Sequence, residues 1–176
     1  ERTATKDYNE AVAELQGKSR YAPWAGGFGL NASWKGISIA ADFSWNYGKY
    51  LVNNDRYFTE LDQYTSYSRN KDLLNRWEKP GDVAKYGKFG ETVQFDSHLI
   101  EDASFLRLKN LTVGYSLPRK WMDKTGFMKG VRIYFTARNL LTVTKYTGFD
   151  PEADTNLTYG RYPNSRQFVG GLQLTF

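Results

Sequence analysis

Apolar and polar residues alternate with a period of two along several segments of this chain, and this pattern constrains the fold more than any other feature. From Ile37 to Tyr47 the odd positions are apolar or aromatic, whereas the even positions are small or polar. Successive side chains of a β-strand point to opposite faces, so one face is apolar and the other polar. Eleven residues is about the length that a tilted strand needs to cross a bilayer. The segment therefore predicts a transmembrane strand, and its terminal Trp45 and Tyr47 suit the membrane–water interface.

The same alternation predicts five strands, at about 26–34, 37–50, 104–117, 129–143 and 166–176. Only Lys35-Gly36 separates the first two, which indicates a tight hairpin because glycine adopts positive φ at little cost. We therefore expect an all-β fold, an antiparallel transmembrane β-barrel. Polar-face residues predicted to point into a watery lumen are Asp42, Asn46, Arg132 and Arg138.

The links between the predicted strands have very unequal lengths. Residues 35–36 and 118–130 form short links, whereas 51–103 and 145–165 form long ones. Strands that run alternately up and down place both short links at one end of the sheet. Outer-membrane barrels have this asymmetry, with short periplasmic turns and long extracellular loops.

Composition excludes several other classes of protein. The chain has no cysteine and one histidine, His98, so disulfides and thiolate metal sites are excluded. It has no apolar run of 18 residues, as a membrane-spanning helix would require. The net charge of +5 comes from scattered Lys and Arg, so we predict no nucleic-acid partner.

The sequence also predicts no enzyme, no cofactor and no metal site. It contains no Gly-x-Ser-x-Gly element, P-loop or His-Glu-x-x-His motif. The neighbours Ser97 and His98 do not make a catalytic pair, because adjacency in sequence does not place a base against its nucleophile. Asp150-Pro151-Glu152 is interpreted as a turn in which Asp150 holds the backbone, rather than as a cation site.

Five strands cannot close a barrel by themselves. The smallest outer-membrane barrels use eight strands, and an open sheet edge in lipid costs several kcal/mol for each unpaired backbone group. We therefore expect further strands, which the sequence analysis places upstream of this chain in a longer polypeptide. Glu1 and the residues that follow have no apolar signal-peptide region, and no plug domain is expected within these 176 residues.

Four segments resemble the C-terminal end of the SusC/RagA family of TonB-linked outer-membrane proteins. The first resembles an extracellular segment of that family, the second its strand entering the final periplasmic turn, the third its penultimate strand and loop, and the fourth its closing strand. They are Arg76-Trp77-Glu78-Lys79-Pro80-Gly81-Asp82; Ser104 to Pro118; Ala137-Arg138-Asn139-Leu140-Leu141 with Tyr146 and Gly148-Phe149-Asp150-Pro151-Glu152; and Tyr162-Pro163-Asn164-Ser165-Arg166 leading to Phe176.

This resemblance implies the C-terminal strands of a plugged barrel of about 22 strands in the outer membrane. The parent protein would import an oligosaccharide or a peptide. A SusD-like surface lipoprotein would trap the ligand, and the TonB complex would supply energy through the missing N-terminal part. Candidate contacts of the ligand or lipoprotein are the loop aromatics Tyr57, Tyr64, Tyr67 and Trp77, for which packing within the loop is the alternative role.

The closing strand also resembles a barrel-assembly signal. Gly171, Leu174 and the terminal aromatic Phe176 match the pattern, although Gly170 replaces the polar residue that usually precedes the glycine. The competing interpretation of the whole chain is a soluble β-sandwich that binds carbohydrate, since aromatic-rich short strands suit that fold too. The two folds differ in one respect: a sandwich would bury Ile39, Ile133 and Leu172 in a dry core, whereas a barrel would turn them towards lipid.

Overall fold

The computed structural model describes residues 7–60, 68–90, 94–124, 126–155, 157, 160 and 162–176. Within these ranges the chain forms seven strands, two α-helical segments and three short 3-10 helices. The strands are β1 (Trp24–Trp34), β2 (Ile37–Tyr47), β3 (Tyr50–Val52), β4 (Ile100–Asp102), β5 (Phe105–Ser116), β6 (Gly130–Thr144) and β7 (Gln167–Thr175). The α-helical segments are α1 (Asn54–Glu60) and α2 (Arg119–Met122), and the 3-10 helices are Tyr8–Glu10, Lys71–Leu74 and Ser97–Leu99.

Five long strands form one antiparallel sheet in the order β1-β2-β5-β6-β7, and β3 pairs separately with β4. Each strand of the large sheet therefore lies beside the next long strand along the chain. The β1–β2 turn is the predicted two-residue hairpin, in which Lys35 (φ 46°) and Gly36 (φ 90°) both have positive φ. This combination matches the twist of the flanking strands.

The register places apolar side chains together on one face of the sheet. Phe28 pairs with Phe43, with stacked rings 4.8 Å apart, and Ile133 pairs with Leu172. A β-bulge at Lys109 inserts one residue into β5 relative to β2. Because a bulge shifts the alternation by one residue, the even-numbered Leu106 and Leu108 join the apolar face.

This apolar face is exposed rather than packed. Ile133 is 53% exposed and Leu172 is 60% exposed, and Ile39 and Phe135 are exposed as well. Within the described ranges, most contacts between elements are those between neighbouring strands of the large sheet, and no second sheet packs on this face. A β-sandwich requires such a layer, so the exposed face argues against the sandwich interpretation. The five strands form the antiparallel sheet that the barrel prediction requires.

The buried core lies under the loops at the end of the sheet opposite the hairpin. Leu51, Leu99, Ala103 and Tyr146 are each almost fully buried there. These residues come from both long links, so the two links pack against each other. In the described part of the chain, no helix is long and apolar enough to cross a membrane.

The end of the second strand differs most from its prediction, whereas the other strand boundaries lie within two residues of theirs. The sequence predicted that the second strand continues to position 50, but β2 ends at Tyr47. Gly48 has a φ of 79° and donates its backbone N–H to the Ser104 hydroxyl at 2.9 Å, so the chain turns out of the sheet. It then continues as β3, which contributes to the loop core.

Candidate functional site

The four residues predicted to face the lumen lie together on the polar face of the sheet. Along β2 and β6, each of these four residues alternates with neighbours whose side chains lie on the apolar face. Near the long loops, the Asn46 side-chain oxygen accepts a hydrogen bond from the Phe105 backbone N–H at 3.2 Å. At mid-strand, Asp42 accepts one from the Asn110 amide at 3.3 Å. That this face lines a lumen stays a prediction.

Arg132 lies flat on this polar face towards the hairpin end. Its Nη2 donates to the Ser38 hydroxyl at 3.1 Å, and a Cβ at Gly114 would come within 3.0 Å of the guanidinium. Gly114 therefore provides the space in which the guanidinium lies against the sheet. Arg138 lies six residues further along β6, where it is exposed and paired in register with Asn110 and Gln167.

An ion-pair cluster fixes the 145–165 link to the polar face, and we call it the Arg107 cluster. Arg107 is 4% exposed, and its guanidinium contacts Asp150 and Glu152 at 2.6 Å each. Its Nε also donates to the Thr142 hydroxyl at 2.9 Å. Lys109 contacts the second carboxylate oxygen of Glu152 at 2.6 Å. A buried guanidinium paired in a fork with carboxylates is a strong and geometrically specific interaction.

Asn164 closes the cluster from the other end of the link. Its backbone N–H and its side-chain amide both donate to Asp150 at 3.1 Å. Burial alone would raise the pKa of Asp150, but hydrogen bonds from Arg107 and from the Glu152 and Asn164 amides hold that pKa below its ordinary value. Three of the four segments that carry the family resemblance therefore meet in one cluster.

Sequence reasoning found only part of this cluster. The predicted turn is present, since Asp150 accepts the Glu152 backbone N–H at 2.9 Å. The pairing with Arg107, 43 residues earlier, was missed. The available signal was the presence of Arg107 and Lys109 in a predicted strand that contains no carboxylate, because cations in a membrane strand need partners.

A second network, which we call the Glu60 network, orders the 51–103 link. The Glu60 carboxylate is 1% exposed and contacts the Arg56 guanidinium, the Tyr86 hydroxyl at 2.9 Å and the His98 ring at 3.4 Å. Arg56 also reaches Glu101 at 3.2 Å. Burial, followed by the contact with Glu60, raises the pKa of Tyr86 to about 12.

Glu101 connects this network to the other long link. Its carboxylate accepts the Thr147 backbone N–H and the Thr147 hydroxyl, both at 2.8 Å. The Asn53 side chain contacts both residues, at 3.3 Å and 3.0 Å. The two long links are therefore joined by hydrogen bonds as well as by their common core.

The loop aromatics predicted as ligand or lipoprotein contacts have different positions. Tyr57 is half-buried and packs edge-on against Phe58 and Phe95, at 5.5 Å and 5.3 Å between ring centres. This is the packing role that the sequence analysis gave as the alternative. Trp77 is half-buried, with its backbone N–H donating to the Tyr86 carbonyl at 2.9 Å. Tyr64 and Tyr67 lie outside the described residues.

A cleft of about 270 Å³ opens beside the Glu60 network. Carboxylates, cations and an aromatic ring from both long links line it, among them Asp55, Arg56, Lys85 and Phe149. No cluster of three or more His, Asp or Glu residues with metal-binding geometry occurs within the ranges described above.

The three residues of the predicted assembly signal have clear packing roles in the sheet. Gly171 lies under the Tyr134 ring, which a Cβ would overlap. Leu174 pairs with Val131, and the Phe176 ring stacks on Phe127 at 6.3 Å. Their recognition by assembly machinery stays a prediction.

Comparison with known proteins gives a consistent set of relatives. No family model matches the chain. It is 33% identical over 166 residues to TonB-dependent receptor P3 of Formosa agariphila, a match that covers 85% of this chain and 16% of the receptor. It is 31% identical over 137 residues to TonB-dependent receptor SusC of Bacteroides thetaiotaomicron, covering 77% of this chain and 14% of SusC.

Two solved structures have a higher sequence identity to this chain than the two receptors above. The structure of the RagAB peptide importer in the "closed-closed" state has 48% identity and a TM-score of 0.88, and the match covers 98% of this chain and 19% of that one. The structure of the RagAB peptide transporter has 51% identity and a TM-score of 0.82, covering 90% and 18%. The chain thus spans less than a fifth of the length of these proteins.

An exposed apolar sheet face, a polar face opposite it and loop clusters at one end define part of an outer-membrane β-barrel. The relatives agree with this class of protein, and they are described as receptors and transporters, which confirms the prediction that this chain is not an enzyme. The chain belongs to the SusC/RagA family of TonB-dependent outer-membrane proteins.

Proposed function

We propose that this chain forms five neighbouring strands and two extracellular loops of a TonB-dependent transporter that imports peptides across the outer membrane. The observation that carries the proposal is the two-faced sheet. Its apolar face is exposed across all five strands, and its opposite face holds ordered polar and charged side chains. In a barrel, the first face contacts lipid and the second lines the lumen.

Peptides are favoured over oligosaccharides for two reasons. The structures 48–51% identical to this chain are described as a peptide importer or transporter, whereas SusC is 31% identical. The polar face also presents charges of both signs, since Asp42 and Arg138 are both in register with Asn110, and Arg132 lies further along the same face of β6. Peptides carry charges of both signs, whereas neutral sugars favour aromatic stacking surfaces.

A SusD-like surface lipoprotein is the proposed partner at the loop end of the barrel. The Arg107 cluster and the Glu60 network hold both long links in defined positions, which lowers the entropy cost of docking a partner. Trp77 stays a candidate contact, while Tyr57 is engaged by Phe95. Energy from the TonB complex would enter through other parts of the complete protein, and Gly171, Leu174 and Phe176 would direct its assembly.

Thiol labelling tests which face lines the lumen. In the complete transporter without other cysteines, Thr136→Cys should react with a membrane-impermeant maleimide in outer-membrane vesicles. Phe135→Cys, on the neighbouring residue but the opposite face, should stay unlabelled until detergent is added. Equal labelling of both positions would contradict the assignment of the faces.

Uptake measurements test the transported substrate. Vesicles or cells with the complete transporter should accumulate a labelled oligopeptide only when TonB is energised, and an Arg132→Gln, Arg138→Gln double variant should reduce uptake of acidic peptides. A Lys79→Gln, Lys88→Gln double variant changes the same number of exposed cations in a loop and serves as the control. Energised uptake of oligosaccharides without peptide uptake would disprove the peptide assignment but leave transport standing.

A further inference from the structure

The link between β5 and β6 forms a groove at the hairpin end of the barrel wall. The groove has a volume of about 500 Å³ and is lined by α2 and the residues that follow it, among them Arg119, Met122, Phe127 and Lys129. Met122 is buried beneath the link, and the Lys129 backbone N–H donates to the Thr175 carbonyl of β7 at 2.7 Å. The link is thereby held against the ends of the strands.

The rim of the groove is continuous with the apolar face of the sheet. The Phe127 ring stacks on that of Phe176 at 6.3 Å and 10° between ring planes, directly beyond the last residue of β7. Trp121, Phe127 and Phe176 are all more than half exposed, at 59%, 65% and 65%. Exposed aromatic side chains at the border of a lipid-facing surface belong to the headgroup region of a bilayer.

The charge of the link is strongly positive. Residues 118–130 contain four basic residues, Arg119, Lys120, Lys124 and Lys129, against one carboxylate, Asp123. Arg119 and Lys129 line the groove itself, together with Asp123. Guanidinium and ammonium groups beside an apolar rim complement a molecule with a phosphate at one end and hydrocarbon at the other.

We propose that this groove binds the headgroup of an anionic phospholipid in the adjoining leaflet. Arg119 and Lys129 contact the phosphate, while the exposed Phe127 ring contacts the glycerol and the first methylene groups. The occupant is a lipid rather than a soluble phosphate because the groove borders the lipid-facing surface at Phe176. This inference depends on the membrane-spanning sheet and not on the identity of the imported substrate.

The test uses the complete transporter in nanodiscs that contain phosphatidylglycerol or only phosphatidylcholine. Native mass spectrometry should detect retained phosphatidylglycerol, and an Arg119→Gln, Lys129→Gln double variant should weaken its apparent affinity about thirtyfold, since each cation near an anionic surface contributes about fivefold. The matched control is Lys79→Gln, Lys88→Gln, which removes two exposed cations from a loop at the other end of the chain's sheet. Equal retention by wild type and the groove variant would overturn the proposal.

A second measurement holds even if the groove variant fails to fold. The fluorescence difference between wild type and Trp121→Phe isolates the Trp121 signal, and brominated phospholipids should quench it. Inorganic phosphate up to physiological concentration should leave phosphatidylglycerol bound. An unquenched Trp121, or displacement of the lipid by inorganic phosphate, would show that the groove lies in water and takes a soluble anion instead.

Discussion

Replacing Arg107 by methionine should release the 145–165 link while leaving the barrel wall intact. Arg107 is the most buried charge of the Arg107 cluster and bridges two carboxylates, Asp150 and Glu152. Methionine keeps much of the side-chain volume, so the change removes charge and hydrogen bonds more than packing. The loss therefore falls on the contacts of the link.

The structure sets the size of the effect. Removing one partner of a buried ion pair costs about 3–5 kcal/mol, because the other charge stays buried without compensation. Here Glu152 keeps Lys109, and Asp150 keeps the amide donors of Asn164. We therefore expect the lower end, about 3 kcal/mol in the free energy of local opening. This corresponds to about 150-fold in the opening equilibrium, since 1.4 kcal/mol is tenfold.

Amide hydrogen exchange measures this opening directly. The backbone amides of Glu152 and Asn164 both donate to Asp150, at 2.9 Å and 3.1 Å, so their exchange reports on the cluster. In Arg107→Met both should exchange about 150-fold faster at pH 7, whereas the amides of β6 should be unchanged.

Two controls make the result decisive. Arg138→Met removes an exposed cation from the same face and should leave exchange in the link unchanged. Asp150→Asn should cost less in Arg107→Met than in wild type, because the two substitutions remove the same ion pair. If Arg107→Met leaves the Glu152 and Asn164 amides as protected as in wild type, the assignment of the cluster as the anchor of the link is wrong.

Three further outcomes are expected. The pKa of Asp150 is lower in the folded link than in the unfolded chain, where it is about 3.9. The ionised carboxylate therefore stabilises the link above about pH 4, and this stabilisation is lost as pH falls through the folded pKa. Amide exchange in the link, corrected for intrinsic rates, should accelerate only below about pH 4. Tyr86 should titrate near pH 12 in spectroscopic titration against a Tyr86→Phe reference, and Glu60→Gln should lower that pKa because it removes the neighbouring carboxylate. Gly171→Ala should lower the temperature at which the barrel unfolds on a heat-modifiability gel, because the new Cβ overlaps the Tyr134 ring, and Tyr134→Ala should restore part of the loss.

Regular alternation made the sheet predictable from sequence. The period of two follows from strand geometry alone, and the hairpin at Lys35-Gly36 follows from the freedom of glycine at positive φ, so neither requires knowledge of distant residues. The end of β2 was less accessible, because Gly48 turns the chain only in combination with Ser104, 56 residues later. The Glu60 network was also beyond reach, since its partners come from separate segments of a long link.

The bulge at Lys109 explains why the Arg107 cluster was missed and how it arises. Between Leu111 and Tyr115 the odd positions of β5 lie on the apolar face, and unbroken alternation would place the odd-numbered Arg107 there too. One extra residue reverses the assignment, so Arg107 turns to the polar face and Leu108 to the apolar one. β6 accommodates the extra residue at Asn139, whose φ is 51°.

A charged residue and an apolar residue thus exchange faces at the point where β5 approaches the loops. The exchange removes a cation from the loop end of the lipid-facing surface, where an arginine near the membrane interface costs up to about 1 kcal/mol. It also delivers the same cation to Asp150 and Glu152, which no regular strand at this register could do. The bulge is therefore the local feature that lets one strand serve both as barrel wall and as the anchor of the loop that we propose lies at the transporter's extracellular mouth.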